Sequence, residues 1–295
     1  MKILYLAKFR FPHSTENYVT HALRTAGVEV KRISYSTPTD EVIERIHNFV
    51  PDVVLFSKVQ VDRCRDLIDL CRRLEILTVC WQWDLFFGYR SHRPEQFKSD
   101  LLFATDGGHQ DGWNQYNYEV LRQGIHEPGH LKYDSSRCSG LAFVGGIEGH
   151  PSRAILLNWL KKTYPDNYTH VKNCRGTNLN KVLAGTSVIV GDSFPGDYYW
   201  SNRIYEITGR GGFLLHPETV GLDEEFTDGE HYVSYKRGDF HQLKVLIDHY
   251  LEDHDHRERI RDAGFHHTGR NYTYQDRVRI LLQRIESRLN KKTLT

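Results

Sequence analysis

Long apolar runs are missing from this chain: no stretch approaches the roughly 20 residues that a membrane-spanning helix requires, so a transmembrane helix is excluded. Cysteine is sparse and unpatterned. Cys64, Cys71, Cys80, Cys138 and Cys174 are odd in number and form no C-x-x-C pair, which argues against a disulfide frame or a zinc ribbon and for reduced thiols in a cytoplasmic setting. An excess of one charge is missing too. With 39 Lys and Arg against 38 Asp and Glu, the net charge of +1 argues against a strongly basic nucleic-acid binder. The opening MKILYLAKFRFP lacks the longer apolar core of a signal peptide and turns basic quickly, so it reads as a first strand. No internal repeat or low-complexity segment stands out.

What the chain does have is length and alternation. At 295 residues, 39% of them hydrophobic and 26% charged, it has the composition of an ordinary globular protein of two domains. Residues 2–7, 28–33, 53–56, 77–81 and 101–104 read as strands, with helices at 16–25, 39–49 and 62–74 between them, and a short strand near 120–121. Strands and helices alternating at this spacing predict an α/β fold with a doubly wound parallel sheet over residues 1–132. A polar stretch at 133–139 reads as a linker. A second Rossmann-like unit then spans 133–273, with strands at 141–144, 169–172, 186–190, 213–215 and 233–235. Residues 274–289 form a last long helix.

The most informative stretch is SNRIYEITGRGGFLLHP, residues 201–217. It predicts a helix over 201–208 with Ser201 as N-cap, a glycine turn at Gly211–Gly212, and the strand 213–215. Ile204 and Ile207 would meet a sheet, while Arg203 and Glu206 share another face. A cation and a carboxylate at a helix N-terminus suit a phosphorylated ribose: N–H groups and the arginine take phosphates, and the carboxylate takes sugar hydroxyls.

These residues carry a family resemblance. NRIYEITGRGGFLL, then GLDEEFTDGEHYVSY, then DAGFHHTGRNYTYQDRVRILL resemble the C-terminal domain of group 1 glycosyltransferases, above all the subgroup containing the CgeB-like spore-maturation proteins. The similarity runs over residues 141–282. It implies the GT-B architecture, two Rossmann-like domains facing across a cleft, with the last helix crossing back to the first. The implied activity is metal-independent transfer of a sugar from a nucleotide-diphosphate sugar, a UDP-sugar above all, to an acceptor hydroxyl, with retention at the anomeric carbon and no cofactor. The acceptor (saccharide, lipid, protein or modified nucleic acid) is left open. On the donor side the resemblance assigns Gly145 and Gly146 of FVGG, Arg153, Ser201, Asn202 and Arg203 to the diphosphate, and Glu206 to the ribose. Glu206→Ala is expected to weaken donor binding and leave the fold intact. One departure is visible: the wider family has a glutamate eight positions before Glu206, and here that position is Tyr198.

On the acceptor side two residues qualify. Asp84, in WQWDLFFGYR, stands just past a strand end, where open α/β sheets collect ligands. His109, in TDGGHQDGW, stands on a glycine-rich loop after the strand 101–104. Either group would orient or deprotonate an acceptor hydroxyl. Trp81, Trp83, Phe86 and Phe87 could line a sugar, although such residues more often belong to a core. His249, Asp253 and His256 could share a helix face, but without an H-E-x-x-H arrangement they read as solvated, and no metal is assigned. The basic residues of the last helix read as solvated as well. Two other classes stay open: a nucleotide-sugar-binding scaffold without catalysis, motivated by Tyr198, and a two-domain nucleotide-sugar epimerase.

Overall fold

The computed structural model describes residues 1–57, 61–84, 98–108, 118–126, 139–147 and 151–293. The chain divides into two units: Met1–Gln123 with Tyr274–Thr295, and Gly124–Thr273. The division falls at Gln123 rather than near 132. The expected linker, up to residue 138, lies outside the described residues.

Unit 1 is built on β1 (Lys2–Ala7), β2 (Glu29–Ser34), β3 (Val53–Ser57), β4 (Leu77–Gln82), β5 (Leu101–Ala104) and β6 (Tyr118–Val120). They form one sheet in the order β2-β1-β3-β4-β5-β6, every pair parallel. The central strands are apolar on both faces because both faces are covered. On one face Tyr5, Leu55, Val79, Trp81 and Phe103 pack with Val19 and Leu23 of α1 (Thr15–Thr25) and with Val278, Leu281 and Ile285 of the last helix, α9 (Tyr274–Thr293). On the other, Leu4, Leu6, Phe56 and Cys80 pack with Val42 and Ile46 of α2 (Thr39–Phe49) and with Leu67 and Ile68 of α3 (Val61–Arg73). The sidedness follows the two-residue period of each strand.

Unit 2 contains β7 (Ser139–Val144), β8 (Tyr168–Val171), β9 (Thr186–Val190), β10 (Leu214–Pro217) and β11 (Val233–Tyr235), with α4 (Pro151–Thr163), α5 (Gly176–Ala184), α6 (Arg203–Thr208), α7 (Phe240–Glu252) and α8 (His254–Asn271). Its strand order is β11-β10-β9-β7-β8, again all parallel. Two helix boundaries are set by side chains. Asp239 accepts from the Gln242 N–H at 2.8 Å to start α7, and Asp253 accepts from the His256 N–H at 3.0 Å to start α8. Arg261 of α8 is fully buried and donates to the carbonyls of Ala184, Thr186, Ser187 and Gly211. One side chain thereby satisfies backbone acceptors of α5, β9 and the turn before β10.

Candidate functional site

Parallel pairing brings the C-terminal ends of all five strands of unit 2 to one edge, the edge at which open α/β sheets bind ligands. β7 ends at Val144, and Gly145 follows with φ +141°. A Cβ on Gly145 would lie 2.6 Å from Arg203 Nη2, so the glycine lets that guanidinium approach the backbone. The Gly145 N–H, expected to face a phosphate, donates instead to the Val171 carbonyl at 3.0 Å, extending the pairing with β8.

The arginines converge on one carboxylate. Asp192, two residues beyond β9 and 4% exposed, accepts from Arg153 Nε at 3.1 Å and from Arg237 Nη1 at 2.9 Å, one oxygen each. Arg153 is itself buried and also donates to the Gly146 carbonyl at 2.6 Å, so it is a brace for the glycine turn and not a solvated surface cation. Arg203, half-buried, donates to the Val144 carbonyl at 3.1 Å and to the backbone carbonyl of Asp192. Burial, followed by repulsion from Arg153, lowers its pKa to about 10. Three guanidinium groups thus meet one aspartate, two at its carboxylate and Arg203 at its backbone carbonyl, which leaves a local excess of positive charge. The side chain of Arg237 keeps 32% exposure, so the excess is reachable.

Behind this group stands His216 at the end of β10, with no exposed surface. Desolvation drives its pKa down to about 4, so the imidazole is neutral; Nδ1–H donates to the Pro217 carbonyl at 2.8 Å, and Nε2 has no partner among the described residues.

The helix at the centre of the sequence reading starts later than expected. Asn202, already in the right-handed helical region at φ −59°, occupies the cap position, and no side-chain capping bond forms. Ser201 is not the N-cap: its N–H donates to Ser193 Oγ at 3.2 Å, and its own Oγ is buried with no partner among the described residues. At six residues, α6 supplies little dipole, so the positive character here comes from arginines. Glu206 is not a free surface carboxylate. Its Oε2 accepts from Arg210 Nε at 2.6 Å, with side-chain exposures of 18% and 1%, while no described residue contacts its other oxygen. Arg210 also donates to Asn180 Oδ1. Arg203 and Glu206 share a short helix, but one points to the ends of β7 and β9 and the other to Arg210 and α5. Tyr198, in the left-handed region at φ +55°, lays its ring on Gly221, where a Cβ would come within 2.2 Å of Tyr198 Cδ1.

In unit 1, Asp84 is half-buried, two residues past β4. Trp81 and Trp83 are core residues, in edge-to-face contact at 5.7 Å, and the Trp81 indole donates to the Leu121 carbonyl at 2.7 Å. His109, Phe86 and Phe87 lie outside the described residues. In unit 2, His249, Asp253 and His256 do meet where α7 joins α8, with one ligand atom from each within 4.8 Å of the others.

Sequence reasoning missed Asp192, Arg237 and His216. A signal existed for the first: Asp192 follows a buried apolar strand, the same placement that singled out Asp84. Nothing local marks Arg237, which is 45 residues away from Asp192 in the chain.

Residues 138–283 match the family model described as "Glycosyl transferase-like". No curated protein matches the chain by sequence. Solved structures do match by shape. Anabaena HepE in complex with UDP and glucose superposes with a TM-score of 0.70 at 11% identity, covering 97% of this chain and 100% of that one. Sucrose-phosphate synthase from Thermosynechococcus elongatus gives 0.72 at 10% identity, covering 99% and 100%. A glycosyltransferase from Rickettsia africae gives 0.63 at 10% identity, covering 97% and 98%. At such identities the likeness establishes the fold: an α/β chain of two parallel-sheet domains, as in GT-B glycosyltransferases.

Proposed function

We propose that this chain is a glycosyltransferase that moves a sugar from a nucleotide-diphosphate sugar to an acceptor hydroxyl. The observation that carries the reading is the convergence of Arg153, Arg203 and Arg237 on Asp192, at the strand-end edge of unit 2 and inside the segment with the family match. Three cations against one carboxylate favour a doubly charged diphosphate. The reaction forms a bond from the acceptor oxygen to the anomeric carbon and breaks the bond to the diphosphate, which leaves with the electron pair while the acceptor loses its proton. Its slow part is charge build-up on that leaving group, and guanidinium groups fixed in advance lower that cost.

In this reading Arg237 and Arg203 contact the diphosphate, and Arg153 holds the Gly145–Gly146 turn and Asp192 in place. Asn202 and Ser201 belong with Arg203 on the diphosphate side, and the second oxygen of Glu206 is left for the ribose. A UDP-sugar is the favoured donor, since HepE binds UDP and UDP-glucose on the same fold. Retention, independence from metal, a hexosyl or pentosyl group, the CgeB-like subgroup and a cytoplasmic setting belong to the same proposal. Asp84 and His109 remain its acceptor-side candidates.

A second reading, a nucleotide-sugar-binding protein without turnover, is favoured by Tyr198 alone. Its ring, held on Gly221, stands where the wider family has a carboxylate. Calorimetry with UDP and UDP-glucose, followed by donor turnover, separates the readings. Binding with turnover supports the transferase, binding without turnover across a broad acceptor panel supports the second reading, and absence of any nucleotide-sugar binding sinks both.

A further inference from the structure

His249, Asp253 and His256 carry one ligand atom each within 4.8 Å of one another, the only such group of three among the described residues. A continuous helix would keep them apart. Seven residues along a helix rise roughly 10 Å, too far for two imidazoles to share one ion. The chain instead breaks at Asp253, whose ψ of 81° is not helical and which both ends α7 and starts α8. The break brings the His256 ring to 6.0 Å from that of His249, centroid to centroid.

The group is held in place by the fold itself. Asp253 Oδ1 accepts from the His256 N–H at 3.0 Å, which orients the carboxylate and leaves Oδ2 to the two rings. Tyr250, 5% exposed, packs against both imidazoles, with its ring centroid 4.7 Å from that of His249 and 5.3 Å from that of His256. Asp253 Oδ2 stands 3.9 Å from His249 Nε2 and 4.0 Å from His256 Nδ1, beyond hydrogen-bond range. Three polar groups therefore converge without bonding one another. Tetrahedral bonds of about 2.1 Å set ligand atoms roughly 3.4 Å apart, so small side-chain rotations close the site. With side-chain exposures of 49%, 41% and 38%, the three have that freedom.

Two imidazoles and one carboxylate suit a divalent transition cation, whereas magnesium and calcium take oxygen ligands. We propose that His249 Nε2, Asp253 Oδ2 and His256 Nδ1 bind one Zn²⁺ ion, with water completing the tetrahedron, and that the ion locks the angle between α7 and α8. The site stands away from the arginines around Asp192. Tyr250 meets Phe213, just before β10, at 4.7 Å between ring centroids. Arg261 of α8 donates to the carbonyl of Thr186, the first residue of β9, at 2.8 Å. Both contacts put the helix junction at the N-terminal edge of the sheet, opposite Asp192 and Arg237. The ion is thus structural, and its binding is independent of the glycosyltransferase reading.

Calorimetry with zinc chloride on the untagged full-length protein is expected to show one ion bound per chain, and Tm to rise with zinc by mass action. His249→Gln and His256→Gln should each weaken binding by about tenfold or more and abolish the rise in Tm. Asp253→Asn should weaken it as well while keeping the helix cap, since asparagine caps as well as aspartate; it serves where a histidine variant fails to fold. Cobalt bound in place of zinc should give the intense visible absorption of a tetrahedral ion. UDP affinity should not change with zinc. Absence of zinc binding by the parent protein overturns the proposal. So does parent-like zinc binding by the folded variants, which would put the ion on other histidines or cysteines. A loss of UDP affinity caused by zinc would place the ion at the opposite edge and overturn it too.

Discussion

Arg203 meets Asp192 through the backbone and not through the carboxylate: its guanidinium binds the Asp192 carbonyl, while the two carboxylate oxygens go to Arg153 and Arg237. Among the described residues no carboxylate bonds Arg203 directly, and its pKa is held down to about 10 by burial and by Arg153. An anion placed against Arg203 and Arg237 would relieve that repulsion.

Arg237 is the partner of Asp192 most easily removed. Its side chain is 32% exposed, and Asp192 retains Arg153 without it. Arg237→Ala is expected to leave Tm nearly unchanged and to weaken UDP binding by about 1–3 kcal/mol, as for loss of a charged hydrogen-bond donor. Calorimetry at low and high salt checks this; the difference between the two proteins should shrink as salt screens the charge.

Glu206→Ala should affect folding as well as binding. The substitution takes from Arg210, 1% exposed, the carboxylate that faces its guanidinium, while the contact with Asn180 Oδ1 stays. Removing one partner of a buried ion pair costs about 3 kcal/mol or more. Denaturant unfolding should show a loss of that size, with Glu206→Gln milder; parent-like stability in the alanine variant would mean that the ion pair is not a structural element.

Gly145→Ala forces a Cβ to within 2.6 Å of Arg203 Nη2 at a backbone φ of +141°. Strain of this kind costs about 1–3 kcal/mol. UDP affinity should fall together with stability, because the displaced group is the proposed diphosphate ligand. If stability falls and UDP affinity does not, Arg203 lies outside the binding surface.

His216 predicts an acid-side stability slope. Its folded pKa of about 4 lies below the ordinary 6.5, so between those values the unfolded chain binds the extra proton. The stability associated with the neutral ring is complete above about pH 6.5, falls as pH drops towards 4, and changes no further below that. The full span is about 3 kcal/mol. Unfolding measured from pH 7 to pH 4 should show this slope, and His216→Asn should flatten it; an equal slope in both proteins would assign the titration to other groups.

Periodicity alone determined the architecture of this chain. Buried runs such as residues 186–190 and helices with apolar faces such as α2 are local patterns, and a parallel sheet is the arrangement that covers strands apolar on both faces. The same local reading found Arg203 and Glu206 because they sit in one six-residue helix. What those side chains do was decided by partners that the fold supplies from elsewhere. Asp192 lies 39 residues from Arg153 and 45 from Arg237, and Glu206 turned towards Arg210 because Asn180 of another helix holds that guanidinium. Charge pairing is a property of three-dimensional neighbours and not of spacing along the chain.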